Sequence, residues 1–182
     1  MPGARLRPDY REALRRGSLL SRLAAFDPHV AGTPPLGLDL PGSDIDVLCF
    51  APDAIAFAAA VWDAFSEAPG FRMRQWRRGD RPVVAEFTLE GWPVEVFGQA
   101  RPVAEQHGWR HFRVESRLLA MGGPPFRAAV KRHREAGRKT EPAFALVLGL
   151  AGDPHQALLE LEARPDEVLR TALRFAGYRV IA

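Results

Sequence analysis

The spacing of apolar residues changes along the chain, and each change marks a different element. Residues 1 to 26 carry apolar positions at helical spacing, interrupted by Gly17-Ser18, which predicts two short helices with a stop and a new N-cap between them. Asp27-Pro28 ends that pattern. His29 to Thr33 is short and β-like, and the turn clusters Thr33-Pro34-Pro35 and Pro41-Gly42-Ser43 bracket a further expected strand, Leu36 to Leu40. Asp44 to Phe50 is rich in β-branched and aromatic residues and predicts a strand. Ile45, Val47 and Cys49 share one face of it, and the period of two places Asp44 and Asp46 together on the other. From Asp53 to Glu67, Ile55, Ala58, Ala59, Trp62 and Phe65 repeat at helical spacing, which predicts an amphipathic helix lying on a sheet. Three β-like runs follow, Phe71 to Arg77, Arg81 to Leu89 and Trp92 to Phe97, joined by turns at Gly79-Asp80 and Glu90-Gly91, so a meander is expected. After Gly98 the pattern is helical, with breaks at Gly122-Gly123-Pro124, Gly137, Asp153-Pro154 and Arg164-Pro165.

These elements predict an α/β (α+β) fold: a mixed sheet with flanking helices over residues 1–100, then an all-helical C-terminal lobe over residues 101–182. At 182 residues, 47% hydrophobic and 26% charged, the chain has the material for a packed core and does not read as disordered. No uncharged run exceeds 11 residues, the length of Pro142 to Gly152, and a membrane span needs about 20. No secretory leader is evident, and the lone Cys49 fits a reducing compartment, so a cytoplasmic location without membrane partners is expected.

The net charge of +3 is unevenly distributed. Residues 1–22 carry +4, and residues 23–70 hold seven acids and no Lys or Arg. Residues 71–139 carry +8, and residues 140–182 carry −2. An acidic stretch suited to cations therefore precedes a basic one suited to polyanions.

The acidic stretch contains the sharpest motif. Gly32-Thr33 is followed after ten residues by Asp44-Ile45-Asp46-Val47, and Val94-Glu95-Val96 lies on a separate predicted strand. Two carboxylates at i and i+2 on one strand can share a hard cation. A third from a neighbouring strand gives an oxygen cluster suited to one or two Mg²⁺ ions, which favour carboxylates together with substrate phosphates. The rival for the third position is Glu86, on the preceding meander strand, and Asp39 is a weaker candidate because Asp beside Pro-Gly is usually a turn former. Read structurally instead, Asp44 and Asp46 are a solvated strand edge.

This pattern resembles the nucleotidyltransferase superfamily of the polymerase beta-like fold, whose motif is a Gly-Ser or Gly-Gly dipeptide, an apolar-flanked Asp-x-Asp and a third acid between apolar residues. More narrowly, GTPPLGLDLPGSDIDVLCF, VEVFGQ, WRHFRVESRLL and KTEPAFA resemble the bacterial domain-of-unknown-function family DUF4269, from about residue 30 to residue 160. The resemblance implies that Asp44, Asp46 and Glu95 are catalytic and bind Mg²⁺, with Asp44 and Asp46 on both ions and Glu95 on the ion that meets the attacking hydroxyl. It implies that Gly32 and Thr33 contact the phosphates of a nucleoside triphosphate. In the superfamily a basic residue often follows the dipeptide. Here Pro34-Pro35 follow Thr33 and no base appears before Arg72, so the triphosphate charge must be met from elsewhere.

Arg127, Lys131, Arg134 and Arg138 are spaced to form one stripe of a helix, opposite Phe126, Ala129, Val130 and His133. Gly137 reads as the stop of that helix and Thr140 as the N-cap of the next, Glu141 to Leu150. A helix N-terminus beside Arg138 and Lys139 suits an anion, so both are candidates for triphosphate contact. His107, Arg110, His111 and Glu115 also share a helix face. His111 is a candidate base or nucleotide contact, or else a hydrogen-bonded structural histidine. Trp76 among Arg72, Arg74, Arg77 and Arg78 is a candidate exposed aromatic near a polyanion, whereas Trp109 and Phe112 read as core.

The expected function is Mg²⁺-dependent transfer of a nucleoside monophosphate from a nucleoside triphosphate to a hydroxyl on an unidentified acceptor, which is a small molecule, RNA or protein. The alternatives are a catalytically inactive nucleotide- or partner-binding module on the same fold, and a nucleic-acid binder using the Arg-rich middle.

Overall fold

A computed structural model of the chain describes residues 7–181 and divides it into two compact units. One contains the residues up to Pro34 together with Gly42–Gln106, and the other Pro35–Pro41 together with His107 onward. Residues 1–6, at the start of the expected first helix, lie outside the described residues.

The first unit is a five-stranded mixed sheet with helices on one face. In chain order come α1 (Tyr10–Arg16), α2 (Leu19–Arg22), β1 (His29–Ala31), α3 (Thr33–Leu36), β2 (Ile45–Phe50), α4 (Ala54–Phe65), β3 (Arg72–Gln75), β4 (Val83–Leu89) and β5 (Trp92–Gln99). The sheet order is β1-β2-β5-β4-β3. β2 and β5 are parallel, and every other neighbouring pair is antiparallel. The expected meander is present as β3-β4-β5, and α4 lies in the long crossover that a parallel pair requires.

Period-two alternation decides which side of the sheet is core. Ile45, Val47 and Cys49 of β2, Val94 and Val96 of β5, and Ala85 and Phe87 of β4 are buried, and they cluster with Ala13, Leu19, Phe57, Val61 and Phe65 from the helices. Gly17 caps α1 and α2 starts at Leu19, where a helix stop was expected. Asp53 caps α4 by accepting the backbone N–H groups of Ile55 and Ala56, at 2.9 and 3.0 Å.

Two expectations change here. The buried face of α4 is Phe57, Val61 and Phe65, while Ile55 is 83% and Trp62 55% exposed. The helix is apolar nearly all round, so its periodicity admits more than one face. The strand expected over Leu36 to Leu40 is absent. Thr33–Leu36 forms one helical turn, because Pro34 and Pro35 have no N–H to offer a ladder and fit a first turn, where none is needed.

The helical unit contains α5 (His107–Glu135), α6 (Thr140–Leu148), α7 (Pro154–Glu162) and α8 (Asp166–Phe175). Val114, Leu118, Phe126, Phe144, Leu158, Leu169 and Leu173 form its core, joined by Leu36 and Leu38. The Arg127 guanidinium donates to the Leu36 carbonyl. The break expected at Gly122-Gly123-Pro124 is a kink within α5, where Gly123 adopts φ 62°, ψ −162°. Pro125 lacks the N–H that would bond the Met121 carbonyl, and the Ile181 amide donates to that carbonyl instead, at 2.8 Å. Gly137, at φ +87°, follows the end of α5 as expected.

Two outcomes follow from the core of the sheet unit. A Cβ at Gly98 would stand 2.1 Å from Phe57 Cε1. Gly98→Ala should therefore cost about 1–3 kcal/mol in urea unfolding, with partial recovery in Gly98→Ala/Phe57→Leu. Burial, reinforced by the charge of Asp27, pushes the Cys49 thiol up to about 12. A disulfide reagent at pH 8 should thus leave the native protein unmodified and titrate one thiol after denaturation; fast native reaction would contradict that burial.

Candidate functional site

Strand register brings the acids together. Asp46 on β2 pairs with Glu95 on β5, Glu95 pairs with Glu86 on β4, and Glu86 pairs with Arg72 on β3. Paired residues project to the same side of a sheet, so Asp46, Glu95, Glu86 and Arg72 form a row on the face opposite the apolar core. Asp44 is exposed immediately before β2. Asp44, Glu95, Glu86 and Arg72 line a pocket of about 460 Å³, together with Gly70, Phe71, Phe87, Thr88, Pro93 and Val94.

The two candidate third acids differ in their surroundings. Glu86 accepts from Arg74 Nη1 at 2.6 Å and from Arg72 Nη2 at 3.3 Å, and chiefly the Arg74 bond holds its carboxyl below the usual carboxylate range. Glu95 is pushed up, first by burial and then by the charges of Asp44 and Glu86, with Arg74 only partly offsetting them. Glu86 already has its cations, whereas Glu95 sits among carboxylates that a cation would stabilise. An all-oxygen, acid-rich donor set of Asp44, Asp46 and Glu95 fits Mg²⁺ chemically.

Gly32 follows β1 with φ +77°, and a Cβ there would lie 2.1 Å from Asp46 Oδ2. The Asp46 carboxylate thus packs against a backbone that only glycine can supply, which ties the Gly32-Thr33 dipeptide physically to the Asp-x-Asp motif. Thr33, the first residue of α3, is buried.

The other candidates lie in the helical unit. Lys139, not Thr140, occupies the cap position of α6, with extended backbone at φ −66°, ψ 165° and no side-chain cap, because lysine has no acceptor for the first N–H groups. Arg138 and Lys139 are exposed. Arg127 and Arg134, from the expected basic stripe, bond to the carbonyls of Leu36 and Arg138. His111 is buried, with Nε2 3.0 Å from the His155 carbonyl. In the sheet unit, Trp76 is exposed and packs edge-on against Phe97, with ring centroids 5.9 Å apart, while its neighbours Arg72 and Arg74 pair with Glu86. Sequence reading did not bring Glu141 and His155 together with His111. The ligand-type atoms of these three all lie within 4.8 Å of one another, yet they come from three helices with no local spacing to announce them.

Gly32→Ala should displace the Asp46 carboxylate and lower stability by about 1–3 kcal/mol, the scale of a close steric conflict at a left-handed position. Urea unfolding measures it, and Gly42→Ala, which meets nothing within 4 Å, is the control.

No curated protein matches the sequence. Among solved structures, the chain is similar to the Cid1 poly(U) polymerase bound to MgGTP. That match has TM-score 0.56 and 16% identity, and covers 77% of this chain and 47% of that one. It is similar to a chain of the GLD-2/RNP-8 complex at TM-score 0.56 and 12% identity, covering 90% and 75%. It is also similar to a cytoplasmic RNA terminal U-transferase at TM-score 0.52 and 17% identity, covering 76% and 44%. The chain spans about half the length of the poly(U) polymerase that it matches. These likenesses establish a nucleotidyltransferase fold. Among the described residues no helix is long and apolar enough to cross a membrane. The model of the domain of unknown function DUF4269 matches residues 12–161, and the chain belongs to that family.

Proposed function

We propose that the protein is a Mg²⁺-dependent nucleotidyltransferase that moves a nucleoside monophosphate from a nucleoside triphosphate to a hydroxyl acceptor. The observation that supports it best is the placement of Asp46 against Gly32 and beside Glu95, with Asp44 just ahead of the same strand. Asp44, Asp46 and Glu95 would hold the cation, which when bound supplies positive charge to the triphosphate and to the reacting oxygens. Asp44 and Asp46, on one strand and its lead-in, orient the α-phosphate, and Glu95 orients the acceptor hydroxyl from the neighbouring strand. The Gly32 backbone and the Thr33 hydroxyl contact phosphate oxygens. The acceptor oxygen bonds to the α-phosphorus as its proton passes to solvent, the bond to pyrophosphate breaks, and pyrophosphate leaves. The acceptor belongs to one of three classes, a small molecule, an RNA end or a protein side chain.

Incubation with Mg²⁺ and each labelled nucleoside triphosphate, with and without added RNA, should release pyrophosphate and label either the acceptor or the protein itself. Asp44→Ala/Asp46→Ala should reduce this at least about 100-fold, the scale of losing a preorganised charge at a reacting centre, with circular dichroism unchanged. Glu86→Gln should lose far less. Release that persists in the double variant would overturn the site assignment. Nucleotide binding without release would instead indicate the inactive binding module.

A further inference from the structure

A second cluster lies wholly within the helical unit and takes no part in the carboxylate row. His111 is on the second turn of α5, Glu141 is the second residue of α6, and His155 is the second residue of α7. Glu141 Oε1 stands 3.9 Å from His111 Nδ1 and 3.6 Å from His155 Nδ1. Both separations exceed the roughly 2.7–3.2 Å of an N–H···O hydrogen bond. They approach the roughly 3.3–3.5 Å between ligand atoms that bonds of about 2.0–2.2 Å impose around a tetrahedral ion. The three ligand-type atoms thus face one another at ion-pair distance but beyond hydrogen-bond length, close to the spacing of ligands around an ion.

The tautomer of His111 fits that role. Its Nε2 lies 3.0 Å from the His155 carbonyl oxygen, which can only accept, so Nε2 carries the proton and donates it. In the neutral ring the lone pair is then on Nδ1, the atom that faces Glu141. A ligating histidine whose other nitrogen is fixed by a backbone carbonyl is the usual outer-shell arrangement at a metal. A second observation comes from Glu115, one turn further along the same face of α5. It is only 5% exposed, and its Oε1 is buried without a hydrogen-bond partner. An unsatisfied carboxyl oxygen this deeply buried, one turn from His111, is what an ion or water held nearby would account for.

We propose that His111, Glu141 and His155 form a binding site for a divalent transition-metal ion of the zinc type. Two imidazole nitrogens and one carboxylate oxygen suit Zn²⁺, Co²⁺ or Ni²⁺, whereas Mg²⁺ and Ca²⁺ favour oxygen alone, so this site is chemically distinct from the Asp44, Asp46 and Glu95 set. His155 is half exposed and gives the ion access from solvent.

The test uses the full chain without a histidine tag, stripped with chelator and titrated with Co²⁺. The expected result is visible d–d absorption saturating at one ion per chain, displaced by Zn²⁺ and not by millimolar Mg²⁺, and a raised melting temperature with Zn²⁺. His155→Ala, on the exposed side, should weaken Co²⁺ binding at least about tenfold, a loss that even an outer-shell change causes at such sites. Circular dichroism of His155→Ala checks that it folds, and Glu141→Gln provides a second variant if it does not. Asp44→Ala/Asp46→Ala should keep the Co²⁺ spectrum, so failure of this site and failure of the transferase reading are separable. No absorption, or a spectrum unchanged in both His155→Ala and Glu141→Gln, overturns the proposal.

Discussion

The parallel pairing of β2 with β5 is the constraint on which the carboxylate row depends. Asp46 and Glu95 are neighbours because Ile45 and Val47 pair with Val94 and Val96, and all four are buried. A slip of one residue would send Asp46 or Glu95 into the core, so the apolar face fixes the register and the acids follow. The energies rank the same way. Burying a Val or Ile side chain is worth roughly 1.5–3 kcal/mol, while like charges on neighbouring strands cost on the order of 0.2–1 kcal/mol. The core can therefore hold carboxylates together against their repulsion, and the mismatch is stored where a cation would relieve it.

The same sheet separates two acids that composition treats alike. Glu86 and Glu95 are directly opposed on β4 and β5, but Glu86 is nearer the β3 edge, where Arg72 and Arg74 reach it. Position across the sheet, rather than residue type, determines which carboxylate is neutralised. Glu95, one strand further in and beside Asp46, is left among acids.

Much of the sheet unit was legible because alternation is a local signal: β2, β4 and β5 stand within two residues of their expected bounds. Glycine punctuation also located the α5 kink and the stops after α1 and α5, but not the α6 cap, which is Lys139 rather than Thr140. Legibility failed where local sequence admits more than one solution. α4 is Ala-rich and apolar on most sides, so Ile55 and Trp62 looked like its core face as well as Phe57 and Val61 did. Leu36 and Leu38 read as a strand because their alternation was real, yet they are buried in the helical unit's cluster. The approach of Gly32 to Asp46 and the meeting of His111, Glu141 and His155 depend on tertiary proximity. No window of sequence contains either.

Charge changes meaning in the same way between sequence and structure. The basic middle of the chain suggested a surface for polyanions, yet most of its arginines have structural partners. Arg72 and Arg74 pair with Glu86, Arg101 with Asp80, Arg110 and Arg113 with Glu162, and Arg117 with Asp166, while Arg127 donates to Leu36. Such pairs add little stability singly, but each ties a guanidinium to a neighbouring element or loop. Arg117 shows what that direction achieves: it also donates to the carbonyls of Glu162 and Arg164, at the end of α7, where helix geometry leaves acceptors unpaired. The arginine excess is in large part the means by which short elements are joined. Among the described residues, Arg77, Arg78, Arg81, Lys131, Arg132, Arg138 and Lys139 stand outside these pairs, and they rather than the paired arginines are what that segment offers to an anion.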